Sequence, residues 1–461
     1  MRFGKIKHLH FTGIGGAGMN GLAEIMVNLG FRVSGSDLIE SAVTRRMEDF
    51  GVDVYYNHDA ENISSADVVI YSAAVQPDNP ELIEAKRLNI PVIKRAVMLA
   101  EIMRLKHGIC ISGTHGKTTT TSMVGQVLTG GGLDPTVVVG GKVKSLESHV
   151  RLGTGDYLVT EADEFNRSFL TLSPTTAVIT TLEIEHLDTY GEIDELKDAF
   201  FEFASKVPFY GCIIACCDEE MIRELLPRLE KRIITYGQSK DADYQPEDIE
   251  FDQFESSFAV RYKGDSLGYF KINNPGVHNV KNALAAIAVG MEFEVPIEII
   301  RASLQEFGGV FRRFELKDEI DDVMIIDDYA HHPTEVKASL NAARSGWRDR
   351  KIKAIFQPHL FSRTRDFYKE FGEGFGDADS VIITSIYPAR EKPIKGISGR
   401  MIADWAEKCG HKDVNYIPDK KDVIEYAADN AKPGDMIITL GAGDVWDISE
   451  RIILNLKKKH L

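Results

Sequence analysis

The sequence predicts an α/β protein of three domains built on parallel sheets, and three observations carry that prediction. Strand-like apolar runs alternate with amphipathic helical stretches, the pattern of parallel strands joined by helical crossovers. In three separate places a strand runs straight into a glycine-rich turn or a polar cluster, dividing the chain into thirds. The 461 residues, at roughly 150 per domain, leave room for about three.

The first third opens with a strand over His8–Thr12, the turn Gly13 to Gly18, and a helix from Met19 to Leu29. A second strand, Arg32 to Ser34, ends at Gly35-Ser36-Asp37, and a third, Val68 to Ser72, stops before Pro77 and Pro80. The middle third starts with the strand Gly108 to Ser112 and ends near the turn Gly308-Gly309-Val310. The last third carries strands over Val323–Asp327, Lys353–Gln357, Ser380–Thr384 and Met436–Leu440. No internal repeat or low-complexity tract interrupts the pattern, and Lys457 to His460 reads as a solvated helix end.

Composition narrows the function. The formal charge is −16, which argues against nucleic acid as the main partner, because phosphate-backbone binding needs an excess of Lys and Arg. A phosphorylated small molecule stays possible, since local loops and a few cations bind it. A hydrophobic content of 43% supports packed cores rather than a disordered chain. No apolar run approaches the roughly 18 residues of a membrane span, and no cleavage site follows the N-terminus. Five cysteines, with Cys212, Cys216 and Cys217 clustered in an apolar strand, suit buried thiols better than a disulfide framework or zinc. The expected compartment is the cytoplasm.

Four groups of residues carry chemistry. Gly13, Gly15 and Gly18 form G-x-G-x-x-G between a strand and a helix, where the backbone can approach a pyrophosphate at the helix N-terminus. Asp37, at the end of the second strand, is placed to accept hydrogen bonds from ribose hydroxyls. The sharpest signal is Ser112-Gly-Thr-His-Gly-Lys-Thr-Thr-Thr-Thr121, a compact phosphate loop. Its backbone amides would cradle phosphates, Lys117 would neutralise the β/γ oxygens, and Thr118 would offer a hydroxyl to Mg²⁺. Strands then deliver Glu161-Ala-Asp163-Glu164 and Glu183-Ile-Glu185-His186, the oxygen and imidazole donors that divalent-metal binding to ATP requires. Polar clusters recur at His278 to Asn282, Phe311 to Glu315, Asp327 to Glu335 and Gln357 to Arg365.

These residues, in this order, resemble the Mur ligases of peptidoglycan synthesis along essentially the whole chain. The resemblance runs through Gly113-Thr-His-Gly-Lys-Thr-Thr119, Glu161-Ala-Asp-Glu164, His186-Leu-Asp-Thr-Tyr190, Pro275-Gly-Val-His-Asn279, Arg312-Arg-Phe-Glu315, Asp327 to Pro333, Tyr387-Pro-Ala-Arg-Glu391 and Gly441-Ala-Gly-Asp444. It is closest to the alanine-adding branch. The family implies a Rossmann-like UDP-sugar-binding domain (1–107), a central P-loop-type ATPase domain (108–311) and a C-terminal Rossmann-like domain for amino-acid binding and closure (312–461). It also implies the partners ATP, UDP-N-acetylmuramate and L-alanine, with two Mg²⁺ ions. The sugar's lactyl carboxylate attacks the γ-phosphate, giving ADP and an acyl phosphate, and the alanine amine then displaces phosphate.

Carried over residue by residue, the resemblance gives Lys117 the β- and γ-phosphates, within a loop of Gly113, Thr114, His115, Gly116, Thr118 and Thr119. Thr118 and Glu161 correspond to ligands of the first Mg²⁺, and His186 to a ligand of the second. Asn279 and Asn282 match adenine-side contacts; Arg313 and Asp328 match the γ-phosphate and ribose region and complete a catalytic set with Lys117 and His186. Tyr329, His331 and Arg363 resemble the alanine pocket. Gly13, Gly15, Gly16, Gly18, Asp37 and Ser72 correspond to the UDP-sugar site. The chain departs from many relatives at Glu183-Ile-Glu185-His186, at Phe165-Asn166, and at Leu360, where an arginine is common; Arg363 then remains as the carboxylate clamp. The competing expectation is a recycling ligase that joins a preformed peptide to the same UDP-sugar.

Overall fold

The computed structural model describes residues 3–72, 74–140, 150–183, 190–389 and 391–459. They form two compact units, Met1–Gln245 with Arg261–Leu267 and Lys281–Leu304, and Pro246–Val260 with Gly268–Val280 and Gln305–Leu461.

The first unit opens with β1 (His8–Thr12), β2 (Arg32–Ser36), β3 (Asp53–Tyr55), β4 (Val68–Tyr71) and β5 (Val92–Lys94), in a parallel sheet of order β3-β2-β1-β4-β5. Every residue of β1 is buried, as expected of a central parallel strand covered by helices on both faces. The helix Pro80–Arg87 begins with the Asn79 side chain accepting the Glu81 amide and with proline at its first position, both stabilising starts. Chain order reverses between β1 and β4, which opens a crevice at the carboxyl ends of the two strands.

The same unit holds β6 (His107–Ser112), β7 (Thr136–Val138), β8 (Val150–Arg151), β9 (Tyr157–Ala162), β10 (Thr176–Ile179), β11 (Cys212–Cys216) and β12 (Ile233–Tyr236), in the order β12-β11-β10-β6-β9-β7-β8. All pair in parallel except the edge strand β8. Cys110, Cys212, Cys216 and Cys217 are buried free thiols, and Cys409 is an exposed one. Helix Ile193–Ser205 packs Phe200 and Phe203 on Phe169, with ring centroids 5.2 and 5.0 Å from it. Three long strands follow in the chain, β13 (Tyr244–Asp252), β14 (Glu255–Tyr262) and β15 (Asp265–Ile272), most of whose residues belong to the second unit.

The second unit is built on β16 (Glu315–Ile320), β17 (Val323–Asp328), β18 (Lys351–Phe356), β19 (Ser380–Ile383), β20 (Val414–Tyr416) and β21 (Asp435–Leu440). Their order is β16-β17-β21-β18-β19-β20, antiparallel only at β16. Apolar cores cover both faces, one containing Ile326, Phe356 and Ile438 and the other Ile325, Ile355 and Ile437; this alternation is the period of two that a strand imposes. Gly308 and Gly309, the expected end of the middle third, lie just inside this unit, which takes the chain from Gln305 onward.

Phe203 is fully buried against Phe169. Phe203→Ala should therefore destabilise the first unit by about 3–5 kcal/mol, the cost of a large aromatic deletion in a packed core. Urea unfolding followed by circular dichroism measures it; an unchanged midpoint would contradict this packing.

Candidate active site

The G-x-G-x-x-G turn sits in the β1/β4 crevice. The amides of Gly13 and Ile14 donate to the Ser36 carbonyl at 2.8 and 3.0 Å, and the Gly15 amide donates to Asp37 Oδ2 at 2.9 Å. Asp37 thus already accepts one of the turn's amides. A Cβ on Gly15 would lie 2.8 Å from that oxygen, and one on Gly13 would lie 3.2 Å from Ser72 Oγ. Gly16 caps the helix Ala17–Asn28. At Gly18 the missing side chain makes room for Arg95, whose Nη1 would stand 2.7 Å from a Cβ there. The structure therefore gathers Gly13, Gly15, Gly16, Gly18, Asp37 and Ser72, and it adds Arg95. No motif in the sequence points to Arg95; it is brought in by β5 and the helix Arg95–Met103.

The phosphate loop leaves β6 and enters helix Lys117–Gly130. Gly113 and Gly116 have φ of +136° and +80°, backbone that side-chain-bearing residues rarely adopt. Thr114 and His115 are tied to the chain after β10: the Thr114 amide donates to the Thr181 carbonyl at 3.1 Å, the His115 amide to Thr181 Oγ1 at 2.8 Å, and the Glu183 amide to Thr114 Oγ1 at 3.0 Å. Asn282 lies against the loop. Its Oδ1 accepts from Thr120 Oγ1 at 3.1 Å and would meet a Cβ on Gly116 at 2.7 Å. Asn279 is buried and donates to the Pro275 carbonyl at 2.8 Å.

Lys117 is folded back over the loop. Its Nζ donates to the Gly113 carbonyl at 2.7 Å and to Glu164 Oε2 and Oε1 at 2.8 and 3.0 Å. Glu164 is buried, and its carbonyl accepts the Tyr190 hydroxyl at 2.6 Å. Burial pushes the Glu164 carboxyl up despite the Lys117 ammonium beside it. Next to this pair Glu161 accepts the Gly140 amide at 2.6 Å; burial raises this carboxyl too, against the pull of the nearby Thr118 hydroxyl. Thr119 is buried in the same helix turn. The acidic run in the sequence assigns Glu164 no role of its own. Its place in that run marks it only as an acidic residue past the strand end, and nothing local ties it to Lys117. His186 lies outside the described residues.

In the second unit the candidate residues cluster at the carboxyl ends of β17, β18 and β21. Arg312 Nε donates to Asp327 Oδ2 at 2.9 Å and its Nη2 to the Gly441 carbonyl at 2.7 Å, joining two strand ends. Asp328 accepts the Phe314 and Ala330 amides at 3.0 and 2.8 Å and the Ser339 hydroxyl at 3.1 Å. Burial lifts its carboxyl to about 6, against the pull of Arg313. Arg313 and Arg312 both lie over the Tyr329 ring, at 5.2 and 5.1 Å. His331 Nδ1 is 2.9 Å from the Tyr329 carbonyl and 3.2 Å from Glu335 Oε2.

Beside them His359 stacks on Tyr387 and stands 6.0 Å from His331, ring to ring. Burial, then His331 and Arg363, pull its imidazole down to about 4. Arg363 is buried, whereas Arg365 is half-exposed and paired with Asp366 at 2.7 Å. Leu360, the departure visible in the sequence, has φ of +71° at the start of helix Phe361–Glu373. The structure brings Tyr329, His331 and Arg363 into one neighbourhood through His359, a residue to which the sequence motifs assign no role.

Comparisons with known proteins fit this layout. Residues 8–107 match the model described as Mur ligase family, catalytic domain; residues 111–290 match the Mur ligase middle domain; and residues 312–443 match the Mur ligase, glutamate ligase domain. The chain belongs to the Mur ligase family. The UDP-N-acetylmuramate–L-alanine ligase of Geotalea uraniireducens is 50% identical over 455 residues, covering 99% of both chains. The crystal structure of the UDP-N-acetylmuramate–alanine ligase of Thermotoga maritima superposes with a TM-score of 0.82 at 29% identity, covering 98% of this chain and 100% of that one. A murein peptide ligase of Psychrobacter arcticus superposes with a TM-score of 0.68 at 25% identity, covering 98% of both. Like the family as a whole, this Mur ligase is an ATP-dependent ligase, and among its described residues no helix is long and apolar enough to cross a membrane.

The Asp328 carboxyl gives this Mur ligase a pH signature. With a folded value of about 6 against an ordinary 3.8, the folded state holds the proton between these limits and the unfolded state does not. Stability from this group is therefore present at low pH and lost as pH rises through 6. Urea midpoints at pH 4 and 7 should show native protein losing stability relative to Asp328→Asn as pH rises; a constant difference would refute the shift.

Proposed function

We propose that this Mur ligase joins L-alanine to the lactyl carboxylate of UDP-N-acetylmuramate at the expense of ATP, in peptidoglycan precursor synthesis. The observation that carries the reading is 50% identity across 99% of the chain to a protein named for that reaction. The recycling alternative, addition of a preformed peptide, is less favoured: the murein peptide ligase superposes less well than the alanine ligase.

The proposed chemistry passes through an acyl phosphate. A carboxylate is a poor acyl donor until phosphorylated, so alignment and charge neutralisation supply most of the catalysis. Lys117 leaves Glu164 for the β- and γ-phosphates, with the amides of Gly113 to Thr119 as the cradle. The Thr118 hydroxyl and the Glu161 carboxylate, near enough for one to pull on the other, are hard oxygen donors of the kind Mg²⁺ takes and would hold one ion. His186 would hold a second Mg²⁺. When bound, Mg²⁺ neutralises the charge that builds on the transferring phosphoryl group.

Asn279 and Asn282 serve the adenine side, with Asn282 also backing the loop at Gly116. Arg313 and Asp328 serve the γ-phosphate and ribose region, Asp328 by fixing the turn that carries Arg313. Gly13, Gly15, Gly16, Gly18, Asp37 and Ser72 hold the UDP-sugar, with Arg95 as an added cation. Tyr329, His331 and Arg363 hold L-alanine. The compartment is the cytoplasm, which fits five free cysteines.

A coupled ADP-release assay tests the reading. Native enzyme should release ADP with UDP-N-acetylmuramate and L-alanine, and Lys117→Ala should lower turnover by on the order of 10²-fold or more, since a preorganised charge contact is lost. Equal turnover with a tripeptide in place of L-alanine would shift the assignment to the recycling ligase.

The alanine clamp has its own test. An amino-acid carboxylate entering a partly dry pocket needs a cation, and guanidinium pairs with it bidentately. Arg363→Ala should raise the KM for L-alanine strongly and leave those for ATP and UDP-N-acetylmuramate nearly unchanged. Arg365→Ala, on the solvent side, should change none of the three; the reverse pattern would move the clamp to Arg365.

A further inference from the structure

A carboxylate lies sealed beneath the N-terminal glycine turn, apart from every residue assigned to a ligand. Glu81, on helix Pro80–Arg87, is fully buried, as are His10, Thr12 and Ser36 around it. Its Oε2 accepts from Thr12 Oγ1 at 2.7 Å, Ser36 Oγ at 2.8 Å and His10 Nε2 at 3.2 Å. Its Oε1 accepts from Asn62 Nδ2 at 2.9 Å. Burial alone would raise this carboxyl, but the His10 imidazole beside it and the hydrogen bonds from Asn62 and Thr12 hold it down at about 2.

Such a cluster is a costly way to fill a core, because an apolar side chain could take the space without desolvating a charge. What the carboxylate does is fix geometry. Thr12 is the last residue of β1, directly before Gly13, and Ser36 is the last residue of β2, directly before Asp37. The Ser36 carbonyl in turn receives the Gly13 and Ile14 amides, and Asp37 receives the Gly15 amide. One buried anion therefore grips both strand ends that carry the turn and its acidic partner.

We infer that Glu81 is a positioning residue for the sugar-nucleotide site, holding the Thr12 and Ser36 strand ends so that the glycine turn and Asp37 are preset for the ligand. The inference rests on the proposed UDP-sugar role of that turn. It separates from a merely structural role because it acts on one ligand: a loss of packing lowers stability, whereas a displaced turn weakens sugar-nucleotide binding and leaves ATP alone.

Calorimetry on the full chain tests this with UDP-N-acetylmuramate and ATP titrated separately. Glu81→Gln and Thr12→Val should each raise the Kd for UDP-N-acetylmuramate about tenfold or more, the scale of a lost hydrogen bond to a charged group. Thr12→Ser, which restores the hydroxyl, should bind as native, and ATP binding should stay within about twofold in all three. If Glu81→Gln does not fold, the Thr12→Val and Thr12→Ser pair decides the matter alone. Folded Thr12→Val that binds the sugar nucleotide like native protein would overturn the inference. Gly15→Val distinguishes the two levels, since a β-branched side chain there blocks the backbone. If Gly15→Val also binds normally, the turn is not the sugar site; if it alone loses binding, only the Glu81 role falls.

Discussion

Parallel strands impose one constraint on which the candidate site depends. All strands of a parallel sheet finish at the same edge, and the turns that leave that edge are free to carry polar chemistry while the strands themselves stay apolar. β1 and β4 set down Gly13 and Ser72 at such an edge; β6, β9 and β10 set down the phosphate loop, Glu161 and Thr180-Thr181; β17, β18 and β21 set down Asp327-Asp328, Gln357 to His359 and Gly441. The buried strand pattern is thus what makes each cluster local, although its members are distant in sequence.

Within the phosphate loop, charge balance decides the resting geometry. A lysine over a ring of carbonyls needs an anion, and Glu164 supplies one from a buried position. A phosphate can take the same place only by drawing Lys117 away, which leaves Glu164 charged and buried unless it gains a proton. The raised carboxyl of Glu164 makes that proton easier to accept, so the exchange of partners need not strand a bare charge in the interior.

Much of this is legible in the residues. Gly113 to Thr119 can be placed because phosphate binding demands glycine, lysine and hydroxyl at fixed spacing directly after a strand, a local rule with few alternatives. The same holds for Gly13 to Gly18. Glu164, Arg95, Arg312 and Glu81 escape such rules for a common reason: each acts through a partner 15 or more residues away, Lys117, Gly18, Asp327 and Thr12 respectively. Spacing cannot show such contacts. His359 stands in a polar cluster that the sequence does reveal, but its burial beside Arg363 and Tyr387 follows from how β18 and β19 deliver their loops.

The distribution of thiols makes the molecule convenient to label. Burial pushes the Cys110, Cys212, Cys216 and Cys217 thiols up, away from the thiolate that reacts with maleimides. Cys409 alone is exposed, just past the helix Arg400–Lys408 in the second unit. A fluorophore can therefore be attached at one known position of the unaltered chain, with no need to replace the other four cysteines first.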